Sequence, residues 1–297
     1  MKASIITEED SMKIAVLSGK GGTGKTLVSV NLAAVADKAV YIDCDVEEPN
    51  GYLFFKPQNP TVEEITVEMP VVDYELCTGC RKCVDFCKFN ALAYISGKLK
   101  IFEEVCHSCG GCTLLCPENA LSEKKKVIGT VQRGSSGNVS VNTGILNVGE
   151  ASGIPLIKAL LQESKIEKDA LNIIDCPPGS ACIVMESIKD VDYCVLVAEP
   201  TVFGVHNLKM VYELVSLFKK PCGVVLNKCL EDANPAEAFC VENGIKILGK
   251  IPFDKVLGTI NSDAEIIVSK NKEYRKMFNS LLETITKEVR NETVTGS

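Results

Sequence analysis

No stretch of the 297-residue sequence approaches the roughly 20 consecutive apolar residues that a membrane-spanning helix needs. The start, MKASIITEEDS, lacks the basic and apolar regions of a signal peptide, so the expected compartment is the cytoplasm, with no membrane partner. A net positive charge is lacking as well. A formal charge of −7 and a pI near 5.2 argue against a chain that grips nucleic acid through a general positive field, and no nucleic-acid partner is expected. Low-complexity tracts are absent. Without export, a disulfide scaffold is a poor explanation for fifteen cysteines, because cytosolic thiols are kept reduced. Eight of them fall between Cys77 and Cys116, which points to metal ligation; the other seven are scattered singly, as buried small hydrophobes often are.

What is present is enough for a sizeable core, with 46% hydrophobic residues in a length that suits one large domain or a domain plus a small module. Residues 13–18, KIAVLS, turn directly into a glycine-rich stretch and then TLVSVNLAAVA: strand, loop and helix in succession. AVYID (39–43) is the next strand. The alternation then stops. Residues 57–69 are polar and contain proline, 70–126 are cysteine-rich, and KKVIGTVQRG with NVSVNTGILNVG reads as extended or hairpin-like. LNIID (171–175), YCVLVAE (193–199), CGVVLNK (222–228) and IKILGKI (245–251) are buried-strand candidates, each followed by a segment able to cover them as a helix. The expected fold class is α/β, a doubly wound, mostly parallel sheet interrupted after its second strand. Residues 1–69 and 127–297 form the two parts of that domain and 70–126 the insert; residues 1–11, before Met12, read as a frayed extension.

Gly19-Lys20-Gly21-Gly22-Thr23-Gly24-Lys25-Thr26 satisfies G-x-x-x-x-G-K-[ST] between a strand and a helix. The glycines let backbone N–H groups turn inward around phosphate oxygens, and the helix N-terminus adds its positive dipole end. Lys25 is expected to neutralise the β and γ phosphates and Thr26 to offer its hydroxyl to Mg²⁺, which makes the domain an ATPase. Asn227 ends a strand, where its amide can pair with adenine as donor and acceptor. A guanine-reading NKxD needs aspartate at 230. Leu230 stands there, which favours ATP.

The extra lysine makes KGGTGKT resemble the deviant Walker A of the MinD/ParA family, which includes the nitrogenase iron protein and the Mrp-type iron–sulfur carriers. The resemblance implies a homodimer with nucleotide at its interface, where Lys20 reaches a phosphate in trans as an arginine finger does. A solvated loop lysine is the plainer reading. Asp43-Cys44-Asp45 resembles that family's switch I, which gives Asp45 the role of orienting the attacking water and Asp43 a place beside Mg²⁺. LNIIDCPPG resembles Walker B leading into switch II, with Asp175 holding Mg²⁺ and Gly179 freeing the loop. An acidic residue at a strand end serves equally as a turn former. The family also places a proline loop after the last strand near the base, which suggests Pro252.

The segment ELCTGCRKCVDFCKFNAL (75–92) returns in register as EVCHSCGGCTLLCPENAL (104–121), implying two copies of one unit about a pseudo-twofold axis. Each copy has the spacing C-x2-C-x2-C-x3-C, which suits one face of an iron–sulfur cubane better than a zinc tetrahedron. The pattern resembles bacterial two-cluster ferredoxins, which implies two [4Fe–4S] clusters with crossed ligands. Cys77, Cys80, Cys83 and Cys116 would hold one; Cys106, Cys109, Cys112 and Cys87 the other. Pro117 follows the fourth cysteine of the second copy as that family requires, but Lys88 replaces it in the first, a departure in the turn rather than in a ligand. His107 reads as a solvated side chain. Cys182 has the spacing from Asp175 of a nitrogenase iron-protein ligand, yet VGEASG (148–153) offers no second cysteine, so helix-start packing is the expectation. Cys44 and Cys176 read as structural.

Three functions remain open on this reading. One is an ATP-gated iron–sulfur protein that passes electrons to a client or matures a client's metal site; another is a positioning or scaffold ATPase in which the clusters only staple the fold; the third is a simple ferredoxin with a vestigial ATPase. The tail 274–291 is helical and amphipathic, with acids and bases mixed on its polar face as on a solvated surface helix.

Overall fold

The computed structural model describes residues 11–163, 170–230 and 234–295. Apart from residue 11, the expected frayed extension lies outside the described residues. The first half of the chain forms β1 (Lys13–Leu17), α1 (Lys25–Val35), β2 (Ala39–Asp43), α2 (Gly51–Phe55), β3 (Gln58–Val72), α3 (Lys82–Phe86), β4 (Leu92–Ile95), β5 (Lys98–Ile101), α4 (Gly111–Leu114), β6 (Leu121–Ser136) and β7 (Val139–Leu146). Then come α5 (Ile154–Glu163), β8 (Leu171–Asp175), α6 (Cys182–Ile188), β9 (Tyr193–Ala198), α7 (Val202–Leu217), β10 (Cys222–Cys229), α8 (Pro235–Glu242) and β11 (Ile247–Pro252). Three helices close the chain: α9 (Lys255–Ser262), α10 (Ile267–Lys270) and α11 (Lys272–Thr295).

One nine-stranded sheet runs β11-β10-β9-β1-β8-β2-β7-β6-β3. All neighbours from β11 to β7 are parallel, and β6 and β3 continue the sheet antiparallel. Strands buried on both faces read as largely apolar runs without alternation, and β1, β2, β8 and β9 do. One core layer packs Val28, Leu32, Phe278, Leu281 and Ile285 of α1 and α11 against one face. The other sets Leu156, Leu160, Val184, Leu208 and Val211 of α5, α6 and α7 against the opposite face. The buried positions of α11 recur every three to four residues, so this amphipathic helix spends its apolar stripe on the core. Among the described residues no helix is long and apolar enough to cross a membrane.

All of the polar, proline-containing stretch 57–69 except Pro57 lies inside a strand. β3 pairs with β6 from Gln58–Ser135 to Val72–Leu121. Its hydrophobic signal is weak because most of this edge strand is exposed, so β-branched residues serve the backbone without forming a buried face. Strands β3 and β6 run through the positions 69/70 and 126/127 without a break.

The exit of this ribbon positions the insert. The last β6–β7 pair is Gly129–Leu146, and β7 runs parallel to β2, with Thr143 beside Asp43. Beyond that pair, residues 66–72 and 121–128 leave the sheet as a two-stranded arm at the C-terminal end of the parallel strands. At about 3.3 Å per residue the arm is about 20 Å long. Its root carries a bulge, because Ile65 pairs with Gly129 and Thr66 with Val127, leaving Ile128 over; such an extra residue bends and twists a strand.

A small separate core of Cys83, Ala91, Leu92, Leu99, Cys112 and Leu121 holds the cysteine-rich module at the arm's tip. Its two copies share backbone turns. Left-handed residues recur at equivalent places, Gly79 with Ser108, Arg81 with Gly110 and Asn90 with Asn119. Cys182 departs from expectation: it is exposed, because α6 turns Val184, Ser187 and Ile188 to the core and its first residue away.

Candidate nucleotide site and cysteine recesses

The parallel register brings the acidic motifs together. Asp43 at the end of β2 lies directly beside Asp175 at the end of β8, and Val16 flanks Asp175 from β1, just before the glycine loop. Gly24 has φ +96°, and a Cβ there would stand 2.1 Å from Asn227 Nδ2, so both backbone and space require glycine before Lys25. The Lys25 ammonium donates to Asp175 Oδ1 at 2.7 Å and approaches Asp45 Oδ2 at 3.5 Å. Burial alone would lower the Lys25 pKa, but Asp175 and then Asp45 hold it well above the usual lysine range. The second oxygen of Asp175 accepts from the buried Tyr41 hydroxyl at 2.7 Å.

Asp43 is fully buried, and its carboxylate accepts from three backbone N–H groups, those of Asp45 (3.2 Å), Asn50 (3.1 Å) and Gly51 (2.9 Å). It thus organises the turn that presents Asp45. Burial, then the neighbouring Asp175, push its pKa up to about 7. Burial also raises Asp45 above the ordinary carboxylate range, with Lys25 opposing. Cys44 and Cys176 are buried, and desolvation holds both thiols far up.

Around the loop, Thr26 lies in the first turn of α1 and Thr23 Oγ1 is buried without a hydrogen-bond partner. Asn227 Nδ2 donates to the Thr23 carbonyl at 2.7 Å, which ties the end of β10 to the loop. Pro252 joins this corner, paired in register with Cys229, while Leu230 is exposed beyond it. Lys20 does not stand free. Its ammonium lies 2.6 Å from Glu199 Oε2 and 5.3 Å from the Phe203 ring centre, with Glu199 also gripping Lys228 at 2.6 Å. Gly179, at φ +93°, opens the loop after β8 and donates to the Ser18 carbonyl.

Three residues of this site escape sequence reasoning: Tyr41, Glu199 and Lys228. Tyr41 has a hydroxyl in a buried strand that is aliphatic up to Asp43, and Glu199 directly follows a strand, just before Pro200-Thr201. Those are the signals available, and neither names a partner.

The module's cysteines divide between two recesses. Cys77, Cys80, Cys83 and Cys116 line one, with Gly79, Arg81, Tyr94 and Glu118. Cys87, Cys106, Cys109 and Cys112 line the other, with Pro70, Lys88, Phe89, His107 and Glu123. In each copy the fourth cysteine accepts a backbone hydrogen bond at its Sγ, from Ala91 to Cys87 (3.4 Å) and from Ala120 to Cys116 (3.3 Å). His107 is exposed but stacks on Phe89, ring centres 3.8 Å apart. Among the described residues no three His, Cys, Asp or Glu side chains converge closely enough to hold a single metal ion; the thiols are instead spread around the recess walls.

The family described as CobQ/CobB/MinD/ParA nucleotide binding domain matches residues 14–266, and the chain belongs to it. It is 31% identical to the uncharacterized protein MJ0578 of Methanocaldococcus jannaschii over 92% of this chain and 96% of that one. It is 26% identical to an iron–sulfur cluster carrier protein of Methanococcus maripaludis over 93% of this chain and 86% of that one. An uncharacterized ferredoxin of M. jannaschii matches a short segment, 38% identical over 55 residues, 17% of this chain and 71% of that one. The cell division ATPase MinD of Pyrococcus furiosus has the same fold, with TM-score 0.59 and 20% identity over 94% of this chain and 99% of that one. So does MinD from Pyrococcus horikoshii in complex with Mg-ADP, with TM-score 0.57 and 20% identity over 92% and 95%.

Proposed function

We propose that this chain is an ATPase whose nucleotide state governs an iron–sulfur module used for electron transfer to a client protein or for maturation of a client's metal site. One observation carries the reading: eight cysteines line two recesses on a module whose arm leaves the sheet at the same end as the phosphate loop. The iron–sulfur carrier and the ferredoxin among its relatives support it.

At the nucleotide site, Lys25 exchanges Asp175 and Asp45 for the β and γ phosphates, with loop N–H groups of Gly21, Gly22 and Gly24 around them. Thr23 Oγ1, unpartnered and buried, is satisfied by a phosphate oxygen. Thr26, Asp43 and the released Asp175 hold Mg²⁺. Asp45, freed from Lys25, orients the attacking water. Asn227 has spent one amide proton on Thr23, which leaves its carbonyl and remaining proton for adenine, with Pro252 at the same corner. Closure of two chains brings Lys20 to the partner's phosphate.

In the module, each set of four thiols holds one [4Fe–4S] cluster, which supplies one-electron chemistry when bound. The Ala91 and Ala120 N–H groups stabilise negative charge on Cys87 and Cys116 Sγ, a lever on potential. The test is anaerobic iron and sulfide quantitation with electron paramagnetic resonance of the reduced protein, with and without a non-hydrolysed Mg-ATP analogue. Eight irons with spectra or midpoint potentials that move on nucleotide binding are expected; zinc in their place, or spectra indifferent to nucleotide, overturns the proposal.

A further inference from the structure

Glu199 carries a structural assignment that neither the loop motif nor the cysteine pattern contains. Its side chain is only 13% exposed, and each oxygen takes a different lysine: Oε2 takes Lys20 and Oε1 takes Lys228, both at 2.6 Å. Lys228 in turn donates to the Gly22 carbonyl at 2.8 Å. The carboxylate therefore straps the glycine loop to the ends of β9 and β10. Burial opposes ionisation of Glu199, yet hydrogen bonds from Lys20 and Lys228 hold its pKa below the ordinary glutamate range, so it is charged at neutral pH.

The backbone behind it is rigid. Thr201 N–H donates to the Glu199 carbonyl at 2.9 Å, and the Thr201 hydroxyl caps α7 by accepting from Gly204 N–H at 2.9 Å. A Cβ at position 204 would stand 2.2 Å from that same Glu199 carbonyl, so the turn cannot relax around a larger residue. On the other side, the Phe203 ring face lies under the Lys20 ammonium, and a cation over a ring face is attracted to it. Lys20 is thus held from two sides by one short segment of its own chain.

We infer that Glu199 is the positioning residue of Lys20, a latch that keeps this lysine on its own chain until nucleotide-driven closure draws it to a partner's phosphate. The inference rests on the dimer reading above. A lysine that must serve in trans needs a resting partner that is adequate but surrenderable. A pair whose lysine is 32% exposed is screened by water and weak enough to exchange. The latch makes closure dearer without nucleotide and leaves Lys20 pre-extended at the loop's mouth.

Glu199→Gln removes the charge and keeps the shape. In the nucleotide-free chain, competitive acylation read by mass spectrometry is expected to show Lys20 labelled faster in this variant, while Lys209 on the exposed face of α7 is unchanged. Sedimentation with a non-hydrolysed ATP analogue is expected to show tighter dimers, by roughly two- to fivefold for each latch opened, the range of a partly exposed ion pair. Glu199→Asp, which shortens the carboxylate but keeps its charge, is expected to fall between. In a Lys20→Ala background the effect of Glu199→Gln on dimerisation should vanish. A merely structural Glu199 would instead weaken the dimer in both backgrounds, and that result, or unchanged Lys20 labelling, overturns the latch. If the wild-type chain stays monomeric with the analogue, the dimer reading fails, while the labelling result still decides whether Glu199 holds Lys20.

Discussion

The carbonyl of Val46 accepts a hydrogen bond from Leu146 N–H at 2.9 Å, and the Val46 methyls sit so close that a Cβ at Gly144 would meet one at 2.6 Å. Val46 follows Asp45; Leu146 ends β7, opposite Gly129 at the root of the arm. The loop that presents Asp45 and the arm that carries the cysteines therefore share one packed contact. Nearby, Lys126 on the arm pairs with Glu150 at 3.0 Å, and Asn147 N–H donates to the carbonyl of the bulged Ile128. Coupling between two sites needs an element that both bias, and this junction is where such an element would act.

Val46→Ala keeps the backbone bond and removes the wedge. Loss of a buried apolar group with partial relaxation costs on the order of 1–3 kcal/mol. Denaturant unfolding should show that loss with iron content unchanged, and the nucleotide-induced change in the cluster spectra should shrink. A full-sized spectral change in this variant would rule out the contact as the route.

Lys25 and Asp175 form a buried pair, so removing one partner strands a charge. Lys25→Met is expected to cost about 3–5 kcal/mol of nucleotide-free stability. Lys25→Met with Asp175→Asn should recover most of it, since two neutral groups replace two charges. Neither variant should bind ATP, as measured by calorimetry. Recovery of binding in the double variant would contradict the phosphate role of Lys25.

Asp43 predicts a pH signature. Its folded pKa, pushed up to about 7 mainly by burial, exceeds the unfolded carboxylate value of 3.8, so the folded chain holds a proton that the unfolded chain has lost between those values. Folded binding exceeds unfolded binding, hence this group's contribution is fully present below the unfolded pKa and is lost as pH rises through about 7. Asp43→Asn cannot titrate. Denaturant midpoints of the nucleotide-free protein, taken from pH 4 to 8, should therefore fall less steeply with pH in the variant; parallel curves would remove Asp43 as the cause.

The crossed recesses predict which cysteines act together. Cys87→Ala and Cys112→Ala should each abolish the same paramagnetic signal, and Cys116→Ala should abolish the other together with Cys83→Ala. Each should leave about four irons per chain under anaerobic purification, since one cubane holds four. Loss of one and the same signal from Cys83→Ala and Cys87→Ala would mean uncrossed ligation.

Local patterns made the phosphate loop, the aliphatic strands and the cysteine repeat legible, because each depends on residues close in sequence. Glycine is required where φ is positive, a buried strand must be apolar throughout, and a turn of three thiols needs their spacing. The approximate strands KIAVL, AVYID and LNIID were readable for that reason, and so was the family resemblance carried by KGGTGKT. Residues 57–69 were not, because an exposed edge strand buries too little to leave an apolar alternation.

What tertiary structure alone decided is pairing across distance. Chain order does not tell that β2 lies beside β8, so the contact of Asp43 with Asp175 and the bond from Tyr41 wait on sheet order. The exit of the arm at the same end of the sheet as the phosphate loop depends on β7 running parallel to β2 while β6 turns back. Glu199, just past β9, acquires meaning only when the loop after β1 and the end of β10 bring Lys20 and Lys228 to its two oxygens. The types of group needed for phosphate and metal chemistry are a property of the sequence by itself; which of them touch, and so what each must release when a ligand arrives, is set by packing.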